Sequence, residues 1–150
     1  MTTQSTVIEY EPLIHRRRQI AAQVLATRRV LLIEDNKSDR LIIKRMLHDV
    51  WPNQPFEYSD ASRMIDALEL IDKELFDLIL LDLSLPDIDG IAAVATIHGV
   101  APNVPIVVYS GTNDPRMKEE AFLCGAKHYL VKGKESPFSF KFMIENAFTK

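Results

Sequence analysis

Three unbroken apolar runs constrain this chain more than any other feature: Val30-Leu31-Leu32-Ile33, Leu78-Ile79-Leu80-Leu81 and Ile106-Val107-Val108. They are too short for core helices and carry no polar alternation, so each reads as a strand covered on both faces. Such strands belong to parallel sheets with helices above and below. The intervening segments have the matching helical spacing. Strands are expected at 29–34, 56–59, 76–82, 105–110 and 128–132, and helices at 37–50, 61–74, 90–99, 114–126 and 136–150. In the first of these helices Leu41, Ile42, Arg45, Met46 and Val50 fall at helical spacing, with Ser38 as the N-cap. In the second, Met64, Ile65, Leu68 and Ile71 fall on one side. In the last, Phe140, Met143, Ile144 and Ala147 form a core stripe, leaving Phe138, Phe142 or Phe148 for the surface or for burial beneath the N-terminal segment. Asp114, followed by Pro115, caps the fourth helix, and Gly125 stands near its end.

Five strands alternating with five helices make an α/β fold, a doubly wound parallel sheet of (βα)5 form. With the flavodoxin-like strand order 2-1-3-4-5, strands one and three are central neighbours. Residues 28–150 form this body. Residues 1–27 are an extension, and 11–27 within it read as an amphipathic helix carrying Leu13, Ile20, Ala21, Val24 and Leu25 on one face. The extension is basic, with Arg16, Arg17 and Arg18 in a row, while the chain as a whole has a net charge of −3. An acidic body argues against nucleic-acid binding. No apolar run is long enough to cross a bilayer and no secretory signal opens the chain, so no membrane role is expected. Cys124 is the sole cysteine, which excludes an intrachain disulfide and agrees with a cytoplasmic protein.

In open parallel sheets ligands bind outside the carboxyl ends of the strands, so the residue that ends each strand carries the functional information. Strand one ends on Glu34-Asp35, strand three on Asp82, strand four on Ser110 and strand five on Lys132. Three carboxylates meeting at one edge need compensation. Mg²⁺ supplies it, since that ion favours one or two carboxylates together with a phosphate oxygen. Lys132 offers a counter-ion and Ser110 a hydroxyl for a phosphoryl group, and a carboxylate can itself be the nucleophile. The set reads as a phosphoryl-transfer site with Asp82 as acceptor. Asp87 and Asp89 in "LPDIDG" read as turn formers rather than ligands. His15, His48, His98 and His128 show no metal-ligand spacing.

The motifs "LLIEDN", "LILLDLSLPDIDG", "IVVYSGT" and "HYLVKG", in this order, resemble the response-regulator receiver domain, the CheY-like module of bacterial two-component signalling. The resemblance covers about residues 28–150. It implies phosphorylation of Asp82 by a phosphohistidine donor, on a sensor histidine kinase or a histidine phosphotransfer protein. It implies Mg²⁺ held by Asp35 and Asp82, by Glu34 through water and by the backbone carbonyl of Ser84. Ser110 fills the switch hydroxyl position and Tyr129 the switch aromatic position. Phosphorylation would draw Ser110 toward Asp82 and let Tyr129 turn inward, remodelling the face made by the helix at 114–126, the strand at 128–132 and the helix at 136–150. Four positions depart from or tune the pattern. Glu34 stands where Asp is commoner, Gly133 replaces the usual proline so that a looser loop is expected, and Ser84 and Thr112 occupy rate-tuning positions.

On this reading the chain is a stand-alone response regulator, because no output region follows residue 150. It is a phosphoacceptor rather than an enzyme, and its output is a downstream protein contact. A homodimer through the switch face or through the N-terminal helix fits the same reading. Two other readings compete. One is a constitutive binding or dimerisation module on the same fold. The other is an aspartyl-phosphate phosphatase, which needs a second Asp two residues after the nucleophile; Ser84 stands there instead.

Overall fold

A computed structural model describes residues 12–21 and 27–149. Helix α1 covers residues 12–21, and all ten of its residues are exposed. Val24 and Leu25 of the expected longer helix lie outside the described residues. The body follows as β1 (Arg28–Ile33), α2 (Lys37–Val50), β2 (Phe56–Ala61), α3 (Met64–Lys73), β3 (Leu78–Leu81), α4 (Gly90–Val100), β4 (Ile106–Ser110), α5 (Pro115–Leu123), β5 (His128–Val131) and α6 (Pro137–Ala147). The five strands form one sheet in the order β2-β1-β3-β4-β5, and every neighbouring pair is parallel. The expected topology is the observed one.

Each apolar run is shared between two cores, because successive side chains of a strand point to opposite faces. Val30, Leu32, Leu78, Leu80 and Val107 pack beneath α2 and α6, against Ile43, Leu47, Phe140 and Ile144. Leu31, Ile33, Ile79, Leu81, Ile106 and Val108 pack against α3, α4 and α5 on the other face. This is why the runs need no polar alternation. The edge strand β2 behaves differently: Glu57, Tyr58 and Asp60 are exposed along it, a charged border that discourages strand addition.

Several local expectations change. The buried stripe of α2 is Ile43, Leu47 and Val50, whereas Leu41 and Ile42 are 63% and 51% exposed. In the run Leu41-Ile42-Ile43 the apolar residues are contiguous, so spacing alone does not select the face; contact with the sheet does. On α3 likewise, Met64 and Ala67 are buried and Ile65 faces out. The N-cap of α2 is Asn36, whose side chain accepts from the Asp39 amide, and not Ser38. On α6 the stripe of Phe140, Ile144 and Ala147 is buried as expected, and Phe138 and Phe142 are exposed.

Two glycines have backbone reasons for their identity. Gly125, at φ +117°, turns the chain from α5 into β5, and a Cβ there would lie 2.5 Å from the His98 ring. Gly133, at φ +76°, sits in a turn closed by the Lys134 amide donating to the Val131 carbonyl at 3.1 Å. The loop after Lys132 is therefore a hydrogen-bonded turn rather than the loose segment expected. Proline, fixed near φ −65°, does not fit it. Among the described residues no helix is long and apolar enough to cross a membrane.

Candidate functional site

The sheet register assembles the site. Ile33 pairs with Leu81 across β1 and β3, and the Asp82 amide donates to the Ile33 carbonyl at 2.9 Å. The residues that follow these two strands must therefore emerge side by side. The carboxylates of Glu34, Asp35 and Asp82 come together with ligand atoms within 4.8 Å of one another. Glu34 and Asp82 are buried, at 1% and 4% exposure, while Asp35 is open to solvent.

Lys132 reaches this cluster from the end of β5. Its amide donates to the Ser110 carbonyl at 2.8 Å, and its ammonium Nζ lies 2.7 Å from Glu34 Oε2, 2.8 Å from Asp39 Oδ2 and 3.3 Å from Asp82 Oδ2. Asp39 was not singled out in the sequence. Its signal was its position in the first turn of α2, one helical turn beyond Asp35 and on the side that faces back over the strand ends. Arg40 was also missed: its Nη1 donates to the Glu34 carbonyl at 2.8 Å and to Ser62 Oγ at 3.1 Å.

One ammonium among several carboxylates leaves an excess of negative charge, and the two kinds of group respond in opposite ways. Burial is the main force raising the Glu34 carboxyl to about 7, and the Asp82 charge adds to it; hydrogen bonds from Lys132 and the Asn36 amide work against the rise. For Lys132 burial alone would lower the ammonium, but hydrogen bonds to Asp39 and Glu34 and the nearby Asp82 charge hold it well above its ordinary value. The cation is favoured and the most deeply buried anion is not. An all-oxygen donor set with uncompensated negative charge suits a hard divalent cation, so Glu34, Asp35 and Asp82 can hold Mg²⁺. Beside them, Ser84 lies in a loop that folds back on itself: its amide faces Asp82 Oδ1 at 3.3 Å, and its backbone pairs with that of Asp89.

Ser110 and Tyr129 form a second group. Ser110 is fully buried and Tyr129 is 7% exposed, so Tyr129 is already inside in this structure. Both side chains hold the main chain of Thr112. Ser110 Oγ accepts from the Thr112 amide at 3.4 Å, and the Tyr129 hydroxyl donates to the Thr112 carbonyl at 2.8 Å. Burial raises the Tyr129 phenol, and the Ser110 hydroxyl partly offsets this. Asp87 proves to be more than a turn former, since its carboxylate accepts from the Met64 and Ile65 amides.

A family model described as the response regulator receiver domain matches residues 30–138. Over 104 residues, 69% of this chain, the sequence is 36% identical to the cell cycle transcriptional regulator CtrA of Caulobacter vibrioides, and the match covers 43% of that protein. Over 106 residues it is 29% identical to the chemotaxis protein CheY of Thermotoga maritima, covering 70% of this chain and 85% of CheY. The match thus spans less than half of CtrA but most of CheY. Among solved structures, the receiver domain of the sensor histidine kinase PA1611 from Pseudomonas aeruginosa holds a magnesium ion in its active-site cleft. It superposes with a TM-score of 0.68 at 23% identity, over 82% of this chain and 98% of that one.

Proposed function

The chain belongs to the response regulator receiver-domain family, and from that premise we propose that it is a phosphorylation switch in a histidine-to-aspartate relay, with Asp82 as the phosphoacceptor. The observation that carries this reading is the gathering of Glu34, Asp35 and Asp82 within 4.8 Å, with the Lys132 ammonium 3.3 Å from Asp82. An Asp82 oxygen forms the new bond to phosphorus as the P–N bond of a phosphohistidine donor breaks, and the imidazole nitrogen keeps that electron pair. Lys132 sits where it can turn from Asp82 to a phosphoryl oxygen. Glu34, Asp35, Asp82 and the Ser84 carbonyl are the groups that would hold Mg²⁺. When bound, the ion neutralises negative charge on the transferring group.

The donor is a sensor histidine kinase or a histidine phosphotransfer protein. The phosphoryl group adds charge and strong acceptors beside Ser110. Drawing the Ser110 hydroxyl toward Asp82 releases the Thr112 amide, and Tyr129 follows through its own bond to Thr112. The output is a contact with a downstream protein at the face of α5, β5 and α6. Phe122 and Leu123 on α5 are 48% and 81% exposed, which supports a protein-binding surface there. The match to 85% of CheY is in keeping with a receiver in residues 28–150, with residues 1–27 as its extension.

The test is treatment with acetyl phosphate, or with beryllofluoride, in the presence of Mg²⁺. Wild-type protein should gain one phosphoryl group by mass and show shifted amide resonances around Asp82 and Thr112, and Asp82→Asn should do neither. No change in the wild type, or the same change in Asp82→Asn, rules the reading out.

A further inference from the structure

Helix α3 begins without a cap of its own. Its N-cap residue, Arg63, makes no side-chain cap bond and instead pairs with Asp66 at 3.0 Å. A helix start leaves backbone amides in need of acceptors. Here they are met from 23 residues away: Asp87 Oδ1 accepts from the Met64 amide at 2.8 Å, and Asp87 Oδ2 from the Ile65 amide at 3.0 Å. A serine or aspartate at position 63 would have supplied a local acceptor, so the long-range bond does something that a local cap would not.

What it does follows from where Asp87 stands. The loop leaving β3 is closed at its base by backbone pairing between Ser84 and Asp89. Pro86 and Asp87 form its tip. Fastening the tip fixes the whole loop, including the direction of the Ser84 carbonyl. The segment to which it is fastened also braces the opposite loop, through Arg40, which bridges the Glu34 carbonyl and Ser62 Oγ. Residues 62–65 are thus linked to both loops that frame the acidic cluster, directly to one through Asp87 and to the other by way of Arg40.

We propose that Asp87 is a positioning residue: it ties the acceptor loop to the start of α3 and so sets the Ser84 carbonyl for the divalent cation. This rests on the receiver reading of the site. Asp87 makes no contact with the transferring group in this scheme and acts through Ser84.

The experiment measures Mg²⁺ affinity of the full chain by calorimetry without a phosphoryl donor, alongside the melting temperature in chelator. Wild type binds Mg²⁺. Asp87→Ala binds about tenfold more weakly, as expected for loss of a group that orients a metal ligand, and Asp87→Asn shows a smaller loss. Adding Arg63→Ser to Asp87→Ala gives α3 a local cap, so the melting temperature recovers while the affinity does not. Two results overturn the proposal. One is an affinity indistinguishable from that of wild type in Asp87→Ala, or in Asp87→Asn should the alanine variant not fold. The other is recovery of affinity together with melting temperature in the double variant, which would make Asp87 only a helix cap. Failure of the wild type to bind Mg²⁺ is a different outcome: it removes the receiver reading and the proposal with it.

Discussion

Replacing Glu34 by Gln tests the electrostatic account of the site. In the folded chain the Glu34 carboxyl takes up its proton at about 7, against 4.5 for the free group. Between these two values the folded protein holds a proton that the unfolded chain has released. Stability must therefore fall as pH rises from 4.5 through 7, and then level off. The gap, at about 1.4 kcal/mol per pH unit, amounts to about 3 kcal/mol. That is a large part of the about 5–15 kcal/mol that holds a typical domain folded. Glutamine keeps the shape and an oxygen that can accept from the Asn36 amide or from Lys132, so little packing is lost, while the buried charge disappears. The assay is urea unfolding of both proteins at pH 5, 6, 7 and 8 in metal-free buffer. Wild type should lose up to about 3 kcal/mol more than Glu34→Gln across this range. The ordinary value of His128 is lowered by burial, which makes stability rise with pH up to about 6.5. Both proteins share that effect, and it drops out of the difference. Parallel pH profiles in the two proteins would refute the idea that Glu34 is the strained anion of the cluster.

Other expectations follow from burial and backbone geometry. Leu47→Ala should cost about 2–5 kcal/mol in chemical denaturation, whereas Leu41→Ala, on the exposed side of the same helix, should cost less than about 0.5 kcal/mol. Gly125→Ala should cost about 1–3 kcal/mol for the backbone conformation alone, with the His98 ring obstructing the new methyl group as well, read as a lowered denaturation midpoint. In Ser110→Ala, beryllofluoride should still bind at Asp82, but the amide of Thr112 and the ring of Tyr129 should shift less than in wild type; equal shifts would show that the signal bypasses Ser110.

The frame of the molecule was legible because two-sided burial writes itself into sequence as unbroken apolar runs, and the residue ending each run is placed by topology. That argument located Glu34, Asp35, Asp82, Ser110 and Lys132 and brought the carboxylates and the lysine together. It did not reach features that depend on how helices lie over the strand ends. Asp39 shares Lys132 only because the first turn of α2 leans over the cluster. Asp87 reaches α3 only because the loop after β3 folds beside a helix that starts 23 residues earlier in the chain. The exposed Leu41 and Ile42 were misplaced for a related reason: a contiguous apolar run on a helix has no unique face until the sheet selects one. Asn36 displaced Ser38 as the cap because β1 ends at Ile33, which sets where the chain turns into the helix.

Ser110 and Tyr129 both grip Thr112 by its main chain, one at the amide and the other at the carbonyl. On the proposed function, a displacement of Ser110 would reach Tyr129 through this main chain and not through the threonine side chain. A substitution at position 112 that keeps the backbone in place would then leave this link intact.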